Sequence, residues 1–113
     1  MSCYIINLEA GMPTVDIAIK RLINGLQTAR MTGAKAVKII HGYGSSGKGG
    51  AIKREVISFL SQKHSAGVIK AYVKGEDFSP FSENSRRITA AYPALKRDSD
   101  YDQGNDGITI VLL

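Results

Sequence analysis

The hydrophobic positions change their spacing several times along the chain, and each change marks a predicted element. Short, β-branched apolar runs at 4–8, 35–40, 68–73 and 107–113 have the length and composition of strands. Residues 15–29 and 52–60 instead carry apolar side chains at helical spacing, and Thr14 precedes the first helix as a good N-cap. This order of strands and helices, with two final strands, predicts a small α/β layer with a largely parallel sheet.

A segment of about thirty residues, 74–105, separates the last two predicted strands and is too long for a bare loop. Within it, residues 82–92 predict a short helix that Ser79 or Ser82 caps and that ends at Pro93. We expect a packed surface flap and not a lid that grips substrate. The side chains that could hold this insert to the domain are Phe78, Phe81, Ile88, Tyr92 and Leu95.

Length and composition narrow the class of protein. A chain of 113 residues predicts one domain, residues 1–113. No apolar run reaches the length of a membrane span, and residues 1–12 lack the features of a leader, so we expect a cytoplasmic protein with no membrane partner. Cys3 is the only cysteine, which excludes an intrachain disulfide and a cysteine metal cluster.

The net charge of +5 is unevenly distributed along the chain. Residues 1–64 contain nine Lys and Arg against three acids, whereas residues 65–113 contain six against seven. A basic half favours a polyanionic partner, although the same lysines could form an ordinary solvated surface.

A glycine-rich stretch, Gly42-Tyr-Gly-Ser-Ser-Gly-Lys-Gly-Gly50, lies between the second predicted strand and the second helix. Backbone N–H groups and the positive end of a helix dipole meet at such a turn, and together they suit a phosphate. The stretch fits a dinucleotide-binding pattern and nearly fits a P-loop. However, no acid ends the next strand, and Gly49 replaces the magnesium-binding Ser or Thr. We therefore expect no cofactor here.

A second pattern, Asp98-Ser-Asp-Tyr-Asp-Gln-Gly104, imitates the start of a calcium loop. Its glycine comes one position late, and Thr109 stands where a bidentate Glu is needed. The segment therefore predicts a solvated acidic turn. A divalent metal remains an option that no residue pattern indicates.

Two polar residues follow strand ends. Glu9 ends the first strand and His41 ends the second, and parallel neighbours would bring both to one edge of the sheet. There His41 could act as general acid or base near neutral pH, or could be a structural histidine bonded to a loop carbonyl.

Three segments, in this order, resemble the Smr (small MutS-related) domain family. Val37–Gly44 is similar to its strand and HGxG motif, Gly50–Arg54 to its G-x-L-R helix start, and Asp106–Leu112 to its DG-x-T-I-V closing strand. The resemblance implies a compact two-layer βαβαββ domain with a mixed four-stranded sheet, similar to the C-terminal domain of bacterial translation initiation factor three. It also implies nucleic-acid binding, in several members DNA nicking or RNA cleavage, and in some members action at the ribosome.

The chain departs from this family at residues tied to cleavage. The family's first strand usually ends LDLHG, whereas this chain has Asn7 in place of Asp and Glu9 in place of His. The glycine loop is also longer, through Ser46–Gly49. The resemblance therefore carries binding over better than catalysis, and whether the chain is an enzyme stays open.

The sequence thus predicts a domain that binds DNA or RNA by structure more than by sequence, because no base-reading element is visible. Tyr43 could stack on a base. The predicted phosphate-binding residues are Gly42, Tyr43, Gly44, Lys48, Gly50, Lys53 and Arg54. The first alternative is an endonuclease in which His41 is the proton shuttle and Glu9 a substitute acid or base. The second alternative is a protein-interaction module that uses the insert.

Overall fold

The computed structural model describes residues 3–11, 13–42 and 48–113. Within these residues the chain forms four strands, three α-helices and two short 3-10 helices. In chain order the elements are β1 (Cys3–Asn7), α1 (Val15–Met31), β2 (Ala36–Ile40), α2 (Lys48–Ser65), β3 (Ala71–Lys74), a 3-10 turn (Gly75–Asp77), α3 (Glu83–Ala91), a second 3-10 turn (Pro93–Arg97) and β4 (Ile108–Leu112).

The strands form one mixed sheet in the order β1-β2-β4-β3. β1 pairs with β2 in parallel, and β4 runs antiparallel to both β2 and β3. Strands β1, β2 and β3 therefore point the same way and end at one edge, called here the carboxyl edge, where Asn7 pairs with Ile40 and Lys74 with Thr109. The predicted fold class, an α/β domain with a mixed four-stranded sheet, is confirmed. The largely parallel sheet predicted from the element order alone is wrong, because β4 lies between β2 and β3 and pairs antiparallel with both.

Helices α1 and α2 cover one face of this sheet. The α1 cap is the predicted one, since Thr14 Oγ1 accepts the N–H of Ile17 at 3.3 Å. The apolar stripes of both helices pack on the β2 and β4 side chains of this face, a buried cluster that includes Leu22, Leu26, Val37, Ile39, Val56, Leu60 and Val111. No described helix has the length and apolar character needed to cross a membrane.

The insert covers the opposite face of the sheet and adds a layer there. Phe78, Ile88 and Leu95 are buried against Val73 and Ile110 of strands β3 and β4. The expected packed flap is what the structure shows. The prediction that Phe81 helps to hold it is wrong, because that side chain is 85% exposed. Residue 81 lies in the turn that leads into α3, after Phe78 has already filled the space over the sheet.

A buried ion pair joins the insert to the middle of the sheet. Lys38 of β2 is only 9% exposed, and its Nζ lies 3.0 Å from Asp98 Oδ1 and also contacts the Asp100 carboxylate. Asp100 accepts a further hydrogen bond from Asn105 Nδ2 at 2.8 Å. The prediction of a solvated acidic turn at 98–104 is therefore wrong for Asp98 and Asp100, because Lys38 holds both carboxylates, whereas residues 102–104 are exposed as expected.

The protonation of these groups agrees with a stable ion pair. Burial alone would lower the pKa of Lys38, but the hydrogen bonds and charges of Asp100 and Asp98 outweigh it and raise that pKa. Burial likewise acts to raise the pKa of Asp100, and the hydrogen bonds from Asn105 and Lys38 overcome this effect and lower it. The pair is charged across the neutral pH range.

Candidate nucleic-acid interface

The carboxyl edge collects the ends of β1 and β2, the start of α2 and the start of β4. The N–H groups of His41 and Gly42 both donate to the Gly107 carbonyl at 3.0 Å, which fixes the chain where it leaves β2. Gly42 adopts a φ of 87°, a backbone conformation that favours glycine. Helix α2 begins six residues later, at Lys48.

The imidazole of His41 is buried beneath this edge and is 1% exposed. Its Nδ1 lies 3.1 Å from the Gly42 carbonyl, which can only accept, so Nδ1 carries a proton. Its Nε2 lies 2.9 Å from Thr109 Oγ1. Because burial lowers the pKa of His41, the ring is neutral near pH 7 and Nε2 accepts from the Thr109 hydroxyl.

Both ring nitrogens of His41 are thus engaged, in the arrangement expected of the structural alternative. A proton-shuttle role would require Thr109 to release Nε2. The sequence did not predict Thr109 as a hydrogen-bond partner of His41. Its position follows from the β2–β4 register, which pairs Ile39 with Thr109, and that register cannot be derived from local patterns.

Glu9 lies against the backbone of Gly42. A Cβ added to Gly42 would overlap the Glu9 Oε1 atom and would lie 3.2 Å from the carboxyl carbon, so the absence of a side chain at residue 42 makes room for this carboxylate. Glu9 is exposed, and its own N–H donates to Asn7 Oδ1 at 2.8 Å. The structure therefore brings Glu9 next to the residue that follows His41.

Lys53 lies on α2 near the same edge, and its charge is paired. Its Nζ lies 3.0 and 2.8 Å from the two carboxylate oxygens of Glu76 and 2.9 Å from the Asp106 carbonyl. Burial acts to raise the pKa of Glu76, but the hydrogen bond and charge of Lys53 outweigh it and lower that pKa. Arg54, the next residue, is exposed.

Glu76 is the second residue of this site that the sequence analysis missed. It directly follows Gly75, where a Cβ would overlap the Asn105 carbonyl and lie 2.8 Å from the Ile108 carbonyl. This close approach packs the turn after β3 onto the chain that enters β4. The contact between Gly75 and Asn105 joins residues thirty positions apart, so no local sequence pattern could predict it.

Part of the predicted phosphate site lies outside the described residues, namely Tyr43, Gly44 and the side chain of Lys48. Gly50 is described and lies in the first turn of α2. That turn, Lys48-Gly-Gly-Ala51, contains no acid. Across residues 3–11, 13–42 and 48–113, no group of three His, Cys, Asp or Glu side chains is placed to hold a metal ion.

Comparisons with known proteins agree on one family. A family model described as the Smr domain matches residues 10–77, which is more than half of the chain. The match begins after Asn7 and Glu9, the two positions where the sequence departs from the family motif, and it ends inside the insert. No curated protein matches the chain.

A solved structure has the same fold. The crystal structure of the Smr domain of Thermus thermophilus MutS2 is similar to this chain with a TM-score of 0.57 and 18% identity, over 100% of this chain and 98% of that one. At that identity the likeness shows the fold alone, and it extends over the residues after 77 that the family model leaves out. Because the Smr domain model matches more than half of this chain, the chain belongs to the Smr domain family.

Proposed function

We propose that this domain binds nucleic acid and holds backbone phosphates at the carboxyl edge, between Gly42 and the first turn of α2. The observation that carries the proposal is the start of α2 at Lys48, shortly after Gly42, with no acid in its first turn. The N–H groups of a first helical turn have no partner within the helix, and together with the helix dipole they favour an anion. Smr domains are in general a nucleic-acid-binding and nicking family, which supports the same assignment.

The charges near this helix end divide into two kinds. Arg54 is exposed on α2, and the proposal gives it and Lys48 the role of neutralising phosphates. Lys53 would contact a phosphate only by exchanging Glu76 for it, since both carboxylate oxygens now hold its ammonium group. Binding through Lys53 therefore carries the cost of separating that ion pair.

Phosphate contacts position a protein on nucleic acid without reading its sequence. We therefore propose selection among strand forms, with DNA and RNA both as candidates. A ribosomal partner and a cytoplasmic location stay predictions of the sequence.

The test is fluorescence anisotropy with end-labelled single-stranded, duplex and branched DNA and with single-stranded RNA, each across a salt series. Arg54→Ala should weaken binding to all sequences and reduce the slope of log affinity against log salt by about 1. Lys20→Ala is the matched control, because Lys20 is an exposed cation on α1. Affinity that is indifferent to salt would overturn the proposal.

A second candidate function, an endonuclease at the same edge, is favoured by the Glu9 carboxylate beside Gly42. Cleavage of a phosphodiester requires stabilisation of phosphate charge and a group that accepts the proton of the nucleophile. Loop amides would supply the first and Glu9 the second. His41 would then hold the edge in place, since its ring nitrogens bind Gly42 and Thr109.

This candidate is tested by incubating labelled DNA and RNA with the wild type, Glu9→Gln and His41→Ala, with magnesium or with a chelator. Loss of cleavage in Glu9→Gln with binding retained would support it. Loss of cleavage in His41→Ala but not in Glu9→Gln would instead indicate that the histidine transfers the proton. Equal cleavage by all three proteins would mark a contaminating nuclease and would refute the candidate.

A further inference from the structure

Phe81 is an exposed aromatic side chain on an ordered turn. It is 85% exposed, whereas Phe78, three residues earlier, is fully buried and packs edge-on against Tyr101. The N–H of Phe81 donates to Ser79 Oγ at 3.2 Å, and Ser82 Oγ accepts the N–H of Ser85 at 3.2 Å to begin α3. Residue 81 is therefore held between two hydrogen-bonded turns, and its ring faces solvent from a fixed backbone.

Two exposed arginines lie on the helix that follows this turn. Arg86 Nη1 donates to the Pro80 carbonyl at 3.0 Å, which places its guanidinium group beside the residue that precedes Phe81. Arg87 is exposed on the same helix. Residues 83–97 contain four Lys and Arg and a single acid, Glu83. Of the acids that follow, Asp98 and Asp100 are held by Lys38, whereas Asp102 is exposed and its N–H donates to the Phe78 carbonyl at 2.7 Å.

The sequence alone gives a different picture of this region, because the C-terminal half has one more acid than it has cations. The structure separates these charges in space. Carboxylates at 76, 98 and 100 are bound to lysines of the N-terminal half, and the α3 side of the insert keeps its cations. An aromatic ring among exposed arginines matches what a nucleic-acid strand presents, namely bases that stack and phosphates that are negative.

A cleft with a volume of about 240 Å³ lies along β3, the outer strand of the sheet. Its lining includes Lys74, Ser82 and Asn84, together with one acid, Asp77. Lys74 ends β3 at the carboxyl edge, and Ser82 directly follows Phe81 in the chain. A nucleic-acid strand bound at Gly42 and the start of α2 could thus continue past β3 to the insert.

We propose that the insert is a second contact for single-stranded nucleic acid, in which Phe81 stacks on an unpaired base and Arg86 and Arg87 contact the flanking phosphates. The inference rests on the proposed function and gives it a preferred strand form. Single strands are named because a paired base has no free face for the ring. One exposed apolar side chain among arginines is too small a patch for a stable protein interface.

The test uses the full chain with a fluorescein-labelled single-stranded 20-mer and with its duplex. Phe81→Ala should weaken binding of the single strand about 5- to 100-fold, the range for one base stacked on an aromatic ring, and should change duplex binding by less than about 2-fold. Met31→Ala is the matched control, because Met31 is an apolar side chain 87% exposed at the end of α1. Both variants should melt at the wild-type temperature.

A second variant reports stacking directly. The chain contains no tryptophan, so Phe81→Trp introduces a single indole at this position. Binding of the single strand should quench its emission, and its affinity should equal or exceed that of the wild type. Arg87→Ala should reduce the salt slope for the single strand by about 1, while Lys20→Ala should leave it unchanged.

Several results would overturn the inference. Unchanged single-strand affinity in Phe81→Ala, or an indole that stays unquenched at saturation, would refute it and leave the proposed function standing. Weaker binding of Phe81→Ala to phosphatidylserine vesicles, with oligonucleotide binding unchanged, would assign the surface to a membrane instead. A wild-type chain that binds no oligonucleotide would refute the proposed function and this inference together.

Discussion

Replacing Lys38 with methionine tests how the insert is attached to the sheet. The change keeps the apolar stem of the side chain and removes the charged Nζ, so that the carboxylates of Asp98 and Asp100 face each other without a cation. Removing one partner of a fully buried ion pair costs about 3–5 kcal/mol, and an exposed pair contributes about 0–1 kcal/mol. The side chains of Lys38, Asp98 and Asp100 are 11%, 20% and 19% exposed, so this ion pair is closer to a fully buried pair than to an exposed one.

We therefore expect Lys38→Met to lower the free energy of unfolding by about 2–3 kcal/mol, which corresponds to a fall of about 10 °C or more in melting temperature for a chain of this size. Urea denaturation of the wild type and the variant measures the difference. Lys35→Met is the matched control, because Lys35 lies on the same segment and is exposed. It should change stability by less than about 0.5 kcal/mol.

A triple variant separates the two possible origins of the loss. If the cost comes from unpaired carboxylates, then Lys38→Met combined with Asp98→Asn and Asp100→Asn should recover most of the lost stability. If the triple variant is as unstable as Lys38→Met, a change in packing around residue 38 is responsible and the unpaired carboxylates are not. A Lys38→Met protein as stable as the wild type would refute the ion-pair argument altogether.

The same pair predicts a pH dependence. The pKa of Asp100 is lowered on folding, so its contribution is complete above the unfolded value of about 3.9 and is lost as pH falls through the folded pKa. The pKa of Lys38 is raised, so its contribution is complete below about 10.4 and is lost as pH rises through the folded pKa. The stability gap between the wild type and Lys38→Met should therefore be widest between about pH 5 and 9.

Three further predictions follow from the carboxyl edge. Thr109→Val leaves His41 Nε2 buried without a partner and should cost about 1–3 kcal/mol in urea denaturation, whereas Thr109→Ser should cost less than half as much. Burial lowers the pKa of His41, so as pH falls below about 6.5 the unfolded chain binds a proton before the folded chain does. The free energy of unfolding should therefore fall between pH 7 and pH 5 by at most about 1.4 kcal/mol per pH unit. His41→Gln should flatten that slope. Gly42→Ala strains the positive φ and displaces Glu9, so it should reduce nucleic-acid affinity by more than Gly33→Ala, a substitution at a similar φ with open space around it.

Local patterns in the sequence predicted most of the elements. Thr14 caps α1 as expected because an N-cap depends on neighbours three residues away. The third strand was predicted over 68–73 and begins instead at Ala71, since the apolar Val68 and Ile69 continue the turn after α2. The resemblance to the Smr family supplied the mixed sheet and the family, which the structure and the comparisons support.

Long-range pairings could not be predicted in this way. A lysine in the middle of a buried strand was a visible signal that Lys38 needed a partner, yet nothing nearby identified the acids at 98 and 100. Lys53 was assigned to phosphates, and its ion pair with Glu76 depends on how α2 and the turn after β3 meet. Phenylalanine is a residue type that usually lies in a hydrophobic core. Only the structure shows that Phe78, Ile88 and Leu95 form the core beneath the insert and that Phe81 is exposed.

Amide NMR reports whether phosphates contact the backbone at the start of α2. A ¹⁵N-labelled chain would be titrated with a single-stranded 20-mer at low and at high salt. Phosphate binding at this turn should shift the amides of Gly42, Gly50 and Ala51 at low salt and shift them less at high salt, while the amide of Thr28, an exposed residue of α1, should not shift. Shifts confined to α1, or no shifts at a saturating oligonucleotide concentration, would contradict it.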